Sequence, residues 1–182
     1  MPGAKSNEQR LELWGEVLQL AEFEVVHQQE DADTRTIHLT VIPRHSVGVC
    51  PGCGDLSQDV HQRRDREGIR DLPIGGRQVE LRVRVSQFWC RRCETAFTPP
   101  LASLAAGTHA TERFLERCAT LVRHGDMARA AAFCGLPEKT LARWYYEYVE
   151  RRQQQQPAEM QPIRSLGIDE LSLKKSIASS SR

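Results

Sequence analysis

Two Cys-x-x-Cys pairs constrain this 182-residue chain more than any other feature: Cys50-Pro51-Gly52-Cys53, followed by Gly54, and Cys90-Arg91-Arg92-Cys93. Each pair offers two sulfurs on one tight turn, and two such turns can close a tetrahedral Zn²⁺ site. A closed four-thiolate site keeps no open position for substrate, so such a zinc builds structure and does not catalyse. Thirty-six residues separate Cys53 from Cys90, more than in the commonest zinc pattern. Doubling a loop costs only about 0.6 kcal/mol of closure entropy, whereas structural zinc contributes roughly 10–16 kcal/mol in finger peptides. The insert is tolerable if it has structure of its own. The rival readings are a redox pair or disulfides. A redox Cys-x-x-Cys sits near a βαβ pattern, and neither pair has that context.

Composition bounds the rest. The chain is 40% hydrophobic and 6% aromatic, so no single large core is advertised. It has no apolar run of membrane-spanning length and no signal-like apolar segment near Met1. A reducing, cytoplasmic setting is therefore expected, where paired cysteines bind metal more often than each other. Cys118 and Cys134 sit alone in helical patterns and are expected to be small buried apolar residues. The net charge of +1 conceals an asymmetry: residues 60–93 hold nine Arg against four acids, and residues 1–45 hold four basic against eight acidic side chains. Basic charge around the cysteine pairs is compatible with phosphate contact.

Hydropathy patterning then divides the chain. Residues 8–20 read as an amphipathic helix, and strands are expected near Glu22–His27 and over Thr34–Ile42, with Gln28–Asp33 as the turn between them. Leu56–Glu67 is so charged that it reads as a loop or weak strand, and Leu72–Gly76 reads as a turn. Gln78–Trp89 is the clearest strand. Val79, Leu81, Val83 and Val85 face one way, and Glu80, Arg82, Arg84 and Ser86 the other. Phe88 falls on the polar parity, which implies a bulge or an exposed aromatic. Thr98-Pro99-Pro100 closes the module, and Leu101–Gly107 is a connector.

Three helical segments follow. Thr108 or Thr111 can cap the first, which Gly125 stops. Asp126 caps Met127–Cys134, which Gly135 ends. The third runs from about Glu138 to Arg152, before a polar stretch, Gln153–Gln156. The last two segments have helix-turn-helix spacing, with Ala130, Cys134, Leu136, Leu141 and Trp144 buried. In such a motif the start of the second helix meets base edges in the major groove. Glu138, Lys139 and Arg143 are the candidate readers there, and Arg113, Arg117, Arg123 and Arg129 are candidate backbone contacts. Arg82, Arg84, Arg91 and Arg92 add candidates around the cysteines. An ordinary three-helix bundle needs the same buried spacing. Tyr145, Tyr146 and Tyr148 are expected to be packing residues. The fold class expected is α+β, a small β-hairpin and zinc-ribbon module followed by a three-helix helix-turn-helix module. The boundaries are 1–99 for hairpin and ribbon, 108–152 for the helices, 153–162 for a polar linker and 163–182 for a remainder.

In this order the cysteine pairs, Arg70-Asp71-Leu72-Pro73, Gly76, the strand ending in Phe88-Trp89-Cys90, then Cys93 and Phe97, resemble the ISL-three family of bacterial insertion-sequence transposases. The segment Leu166-Gly167-Ile168-Asp169-Glu170-Leu171 resembles the strand that opens that family's catalytic DDE domain. The resemblance implies a structural zinc, binding of double-stranded DNA at terminal inverted repeats, and Asp169 as the first metal-binding carboxylate. Transposases of this kind hold two Mg²⁺ ions with three carboxylates. After Asp169 only Glu170 follows, on the opposite face of the same strand. The expectation is thus a truncated transposase that binds DNA, needs Mg²⁺ only as a full-length relative would, and is inactive alone. It would be nucleoid-associated, free of membrane, and partnered by a second copy or a full-length transposase. The alternative readings are a stand-alone zinc-ribbon and helix-turn-helix transcriptional regulator, or a protein-interaction module.

Overall fold

A computed structural model describes residues 6–155. The first helix, α1 (Asn7–Leu18), starts at a capping box in which Ser6 and Gln9 each bond the other's backbone N–H. It precedes β1 (Phe23–Asp31) and β2 (Thr36–Pro43), which pair antiparallel. Strand β1 runs four residues beyond the expected end, through Asp31, because β2 supplies its hydrogen bonds regardless of polarity. Two short strands, β3 (Gly48–Val49) and β4 (Leu56–Ser57), form a separate hairpin. Then come β5 (Val60–Ile74), β6 (Arg77–Cys90) and β7 (Thr95–Phe97).

The main sheet has the order β1-β2-β6-β5, with β7 pairing the end of β6. Strand β2 lies parallel to β6 from Thr36↔Gln78 to Val41↔Val83, a crossover that hydropathy does not reveal. The charged stretch Leu56–Glu67, read as a loop or weak strand, holds β4 and the first half of β5. All its residues from Val60 to Gly68 are exposed. With neither face buried, alternation vanishes from the sequence, and the strand exists because β6 pairs it at the sheet edge. The expected turn at Leu72–Gly76 shrinks to Gly75 and Gly76, and Leu72–Ile74 belong to β5.

Strand β6 serves two cores. Val79, Leu81, Val83 and Val85 are buried with Ile37, Leu39, Val41, Phe23 and Leu18 in the main core. Arg82 and Arg84 stay exposed on the other face. Phe88 and Cys90 share that second parity, yet they are buried with Cys50 and Phe97 in a small cluster of their own. The bulge lies in the partner strand, at His61 between Val60↔Phe88 and Gln62↔Gln87. Phe88 is not an exposed aromatic: the cysteine-bearing tip covers it.

Three helices complete the described chain: α2 (Glu112–His124), α3 (Met127–Cys134) and α4 (Glu138–Gln155). Thr111 caps α2 and Asp126 caps α3, and Gly135 takes the left-handed conformation that ends α3. Helix α4 continues through Gln155, three residues past the expected end. Phe114, Leu115, Cys118, Ala131, Cys134, Leu141 and Trp144 form the helical core, in which the Cys118 and Cys134 sulfurs lie 3.1 Å apart. Among the described residues no helix is long and apolar enough to cross a membrane.

Candidate metal centre and nucleic-acid interface

The two cysteine turns meet at the far end of the sheet. The first closes through Gly54 N–H donating to the Cys50 carbonyl at 2.9 Å and Cys50 N–H donating to Asp55 at 2.8 Å. Each pair is followed by a residue in the left-handed region, Gly54 at φ 78° and Glu94 at φ 52°. Glycine takes this angle freely, whereas Glu94 takes it at some steric cost. Gly48 brings its strand close behind: a Cβ there would lie 2.8 Å from Phe88 and 2.9 Å from Pro99.

The four sulfurs all lie within 4.8 Å of one another, with Cys53 to Cys90 at 3.5 Å and Cys50 to Cys93 at 3.9 Å. Four sulfurs about 2.3 Å from one ion at tetrahedral corners are about 3.8 Å apart. The donor set and its spacing therefore fit zinc. The thiols also perturb one another. Burial pushes Cys50 up, but N–H groups of Gly52 and Cys53 outweigh it and bring the thiol down to about 7. The Cys53 thiol, with burial, holds Cys93 up to about 12. Four thiolates in so small a volume need a cation between them. The site is closed by four protein ligands, so its zinc is structural.

Residues 46–93 match the family model described as the zinc-finger of transposase IS204/IS1001/IS1096/IS1165. Over this segment the chain is similar to that zinc finger, with the four cysteines placed to hold a zinc. No curated protein and no solved structure matches the chain. The zinc ribbon holds the four cysteines on β3–β4 and β6–β7, and a transposase zinc finger points to nucleic acid as partner.

The candidate DNA contacts fall into distinct places. Glu138, Lys139 and Arg143 are exposed along the start of α4, and Arg123 is exposed at the end of α2. Arg129 is exposed on α3 and pairs with Asp126 at 3.2 Å. Arg82 bonds Asp65 at 2.9 Å and Glu67 at 2.6 Å, and Arg84 meets Asp65 at 3.3 Å. Arg91 pairs with Asp59 at 2.7 Å and Arg92 with Asp55 at 3.4 Å. All four ribbon arginines named from sequence thus already face a carboxylate. Tyr148 is buried, while Tyr146 is 65% exposed and does not pack as expected. Asp169 lies outside the described residues.

Sequence reasoning missed what joins the ribbon's sheet to the helices. Asp71, fully buried on β5, accepts a hydrogen bond from Thr111 Oγ1 at 2.7 Å and from Arg113 Nε at 2.8 Å, and Arg113 Nη2 completes the fork. Arg113 is therefore committed to the fold and is not a free backbone contact. Next to it, Arg70 donates to the Gly135 carbonyl at 2.7 Å and pairs with Glu80 at 3.0 Å. Leu72 packs on the helical core. The Arg70-Asp71-Leu72 run is the seam between sheet and helices. The available signal was a carboxylate that shares strand parity with Ile69, two residues before it.

Proposed function

We propose that this chain is the DNA-recognition part of a bacterial DDE transposase, binding the terminal inverted repeats of its insertion sequence in the cytoplasm, at the nucleoid. The observation that carries this reading is the four-cysteine cluster inside the segment that matches a transposase zinc finger. The helices support it. Helix α3 ends in a left-handed Gly135, the next helix begins three residues later, and Lys139 and Arg143 project from its exposed face. This supports a helix-turn-helix reading, in which the second helix would meet the major groove. Lys139 and Arg143 are the base or phosphate readers in this reading, and Arg123 and Arg129 flank the backbone.

Among the described residues, the group of His, Cys, Asp or Glu side chains that can share a metal is the cysteine cluster. We therefore assign binding, and not strand cleavage, to residues 6–155. The test is fluorescence anisotropy of the purified zinc-loaded chain with duplexes carrying the element's ends and with scrambled duplexes. Preference for the ends, with affinity falling steeply as salt rises, is expected. Equal binding to both, or affinity that ignores salt, removes the reading. Preference for promoter DNA instead would make the chain a regulator.

A further inference from the structure

We propose that the β5 edge of the ribbon formed by β5 and β6 is itself a DNA-contacting element, through the exposed side chains of Gln62, Arg64 and Arg66. The inference rests on the DNA-binding reading above and names a contact surface that reading lacks. Between Arg84 and Gln87, β6 has left β2, whose pairing ends at Val83, and has not yet met β7, whose pairing starts at Phe88. Over this stretch β5 and β6 form a two-stranded ribbon. Its register places Gln62 opposite Gln87 and Arg64 opposite Val85, and Arg66 lies just beyond it, opposite Val83, where β2 still pairs β6. Residues opposite each other in an antiparallel pair share a face, so Gln62, Gln87, Arg64 and Arg66 lie on the side of Val85 and Val83, which are buried in the main core, while the arginines, on the edge strand β5, are themselves exposed. The segment is bracketed by two register shifts, at His61 and between Arg66 and Ile69. Such irregularities re-aim a strand's side chains.

Charge distinguishes the exposed first half of β5 from the rest of the zinc ribbon. Arg82, Arg84, Arg91 and Arg92 each lie against a carboxylate. Among the described residues Arg63, Arg64 and Arg66 have no carboxylate within 4.0 Å, Arg63 on the opposite face from the other two, and every residue from Val60 to Gly68 is exposed. Gln62 Oε1 accepts from Arg64 Nε at 3.1 Å and from Nη2 at 2.9 Å. That fixes the guanidinium while leaving its other N–H groups free. A planar, pre-positioned fork suits phosphate, and less side-chain freedom is lost on binding. Arg64 and Arg66 stand about 7 Å apart along the strand, within reach of one phosphate backbone. Trp89 is 37% exposed on the same parity, 5.7 Å from the His61 ring. The major groove of B-DNA admits a two-stranded ribbon as readily as a helix. The occupant that fits is double-stranded DNA.

The test uses the full zinc-loaded chain and a short mixed-sequence duplex, with affinity measured across a salt series. The variants are Arg64→Gln/Arg66→Gln and, for comparison, Arg82→Gln/Arg84→Gln. Zinc content and the urea midpoint establish that each variant is folded. Loss of two phosphate contacts should lower the slope of log affinity against log salt by about two and weaken binding roughly tenfold. The Arg82/Arg84 variant should change the slope by less than half as much. An unchanged slope for Arg64→Gln/Arg66→Gln, while the wild type binds, overturns the ribbon contact and leaves the helix reading standing. Equal losses in both variants also overturn it, because the effect would then be diffuse charge. A wild-type chain with no salt-dependent binding removes both readings.

Discussion

Replacing Asp71 by Ala should loosen the seam between sheet and helices. Its carboxylate is fully buried and takes three hydrogen bonds, two from Arg113 and one from Thr111. Removing one partner of a buried charge pair costs about 3–5 kcal/mol, since the other charge is left uncompensated. Arg113 is 27% exposed, so water recovers part of that loss, and about 2–4 kcal/mol is expected. Thr111 would also lose the acceptor that orients its hydroxyl while it caps α2 through the Phe114 N–H at 3.3 Å. An N-cap contributes about 0.5–2 kcal/mol. The assay is urea unfolding of the full chain for Asp71→Ala, Arg113→Ala and the double variant. The double should be less destabilised than the sum of the singles by at least about 1 kcal/mol. Hydrogen exchange at Phe114 should accelerate in Asp71→Ala. A loss below about 0.5 kcal/mol, or additive singles with unchanged exchange, would refute the assignment of this carboxylate as the seam.

Other outcomes test the zinc ribbon and the helices. Cys93→Ser should abolish stoichiometric zinc by metal analysis and melt the Phe88–Phe97 cluster, while the Val79–Val85 core and the helices persist in circular dichroism; zinc retained at full stoichiometry would contradict the four-sulfur site. Gly48→Ala should destabilise the ribbon by about 1–3 kcal/mol through overpacking against Phe88 and Pro99, read as easier zinc loss to a chelator. Gly54→Ala meets open space but holds a positive φ, so about 1–2 kcal/mol of backbone strain is expected; a neutral result in the same chelator assay would remove the strain argument. Arg143→Ala should weaken binding to the preferred duplex by about 1–3 kcal/mol if the side chain reads a base, and unchanged affinity and preference would take it out of the interface.

The sequence by itself determined the zinc ligands, the alternating strand that delivers Cys90, the stops of α2 and α3 and the Asp126 cap of α3, while the α2 cap stayed open between Thr108 and Thr111. Each is a local matter: ligand spacing, a period of two, or a side chain that bonds a nearby N–H. The structure alone decided what depends on partners distant in the chain. Strand β5 is invisible to alternation because both faces of its first half are wet, and only pairing with β6 makes it a strand. The parallel contact of β2 with β6 joins segments about forty residues apart. The free or paired state of each arginine was equally hidden. Arg82 and Arg84 looked like the ribbon's open basic face, yet Asp65 and Glu67 reach them across strands, and among the described residues Arg64 and Arg66 meet no carboxylate. Charge content is a property of sequence. Electrostatic availability depends on distances of a few ångströms between strands, and only the tertiary structure sets those.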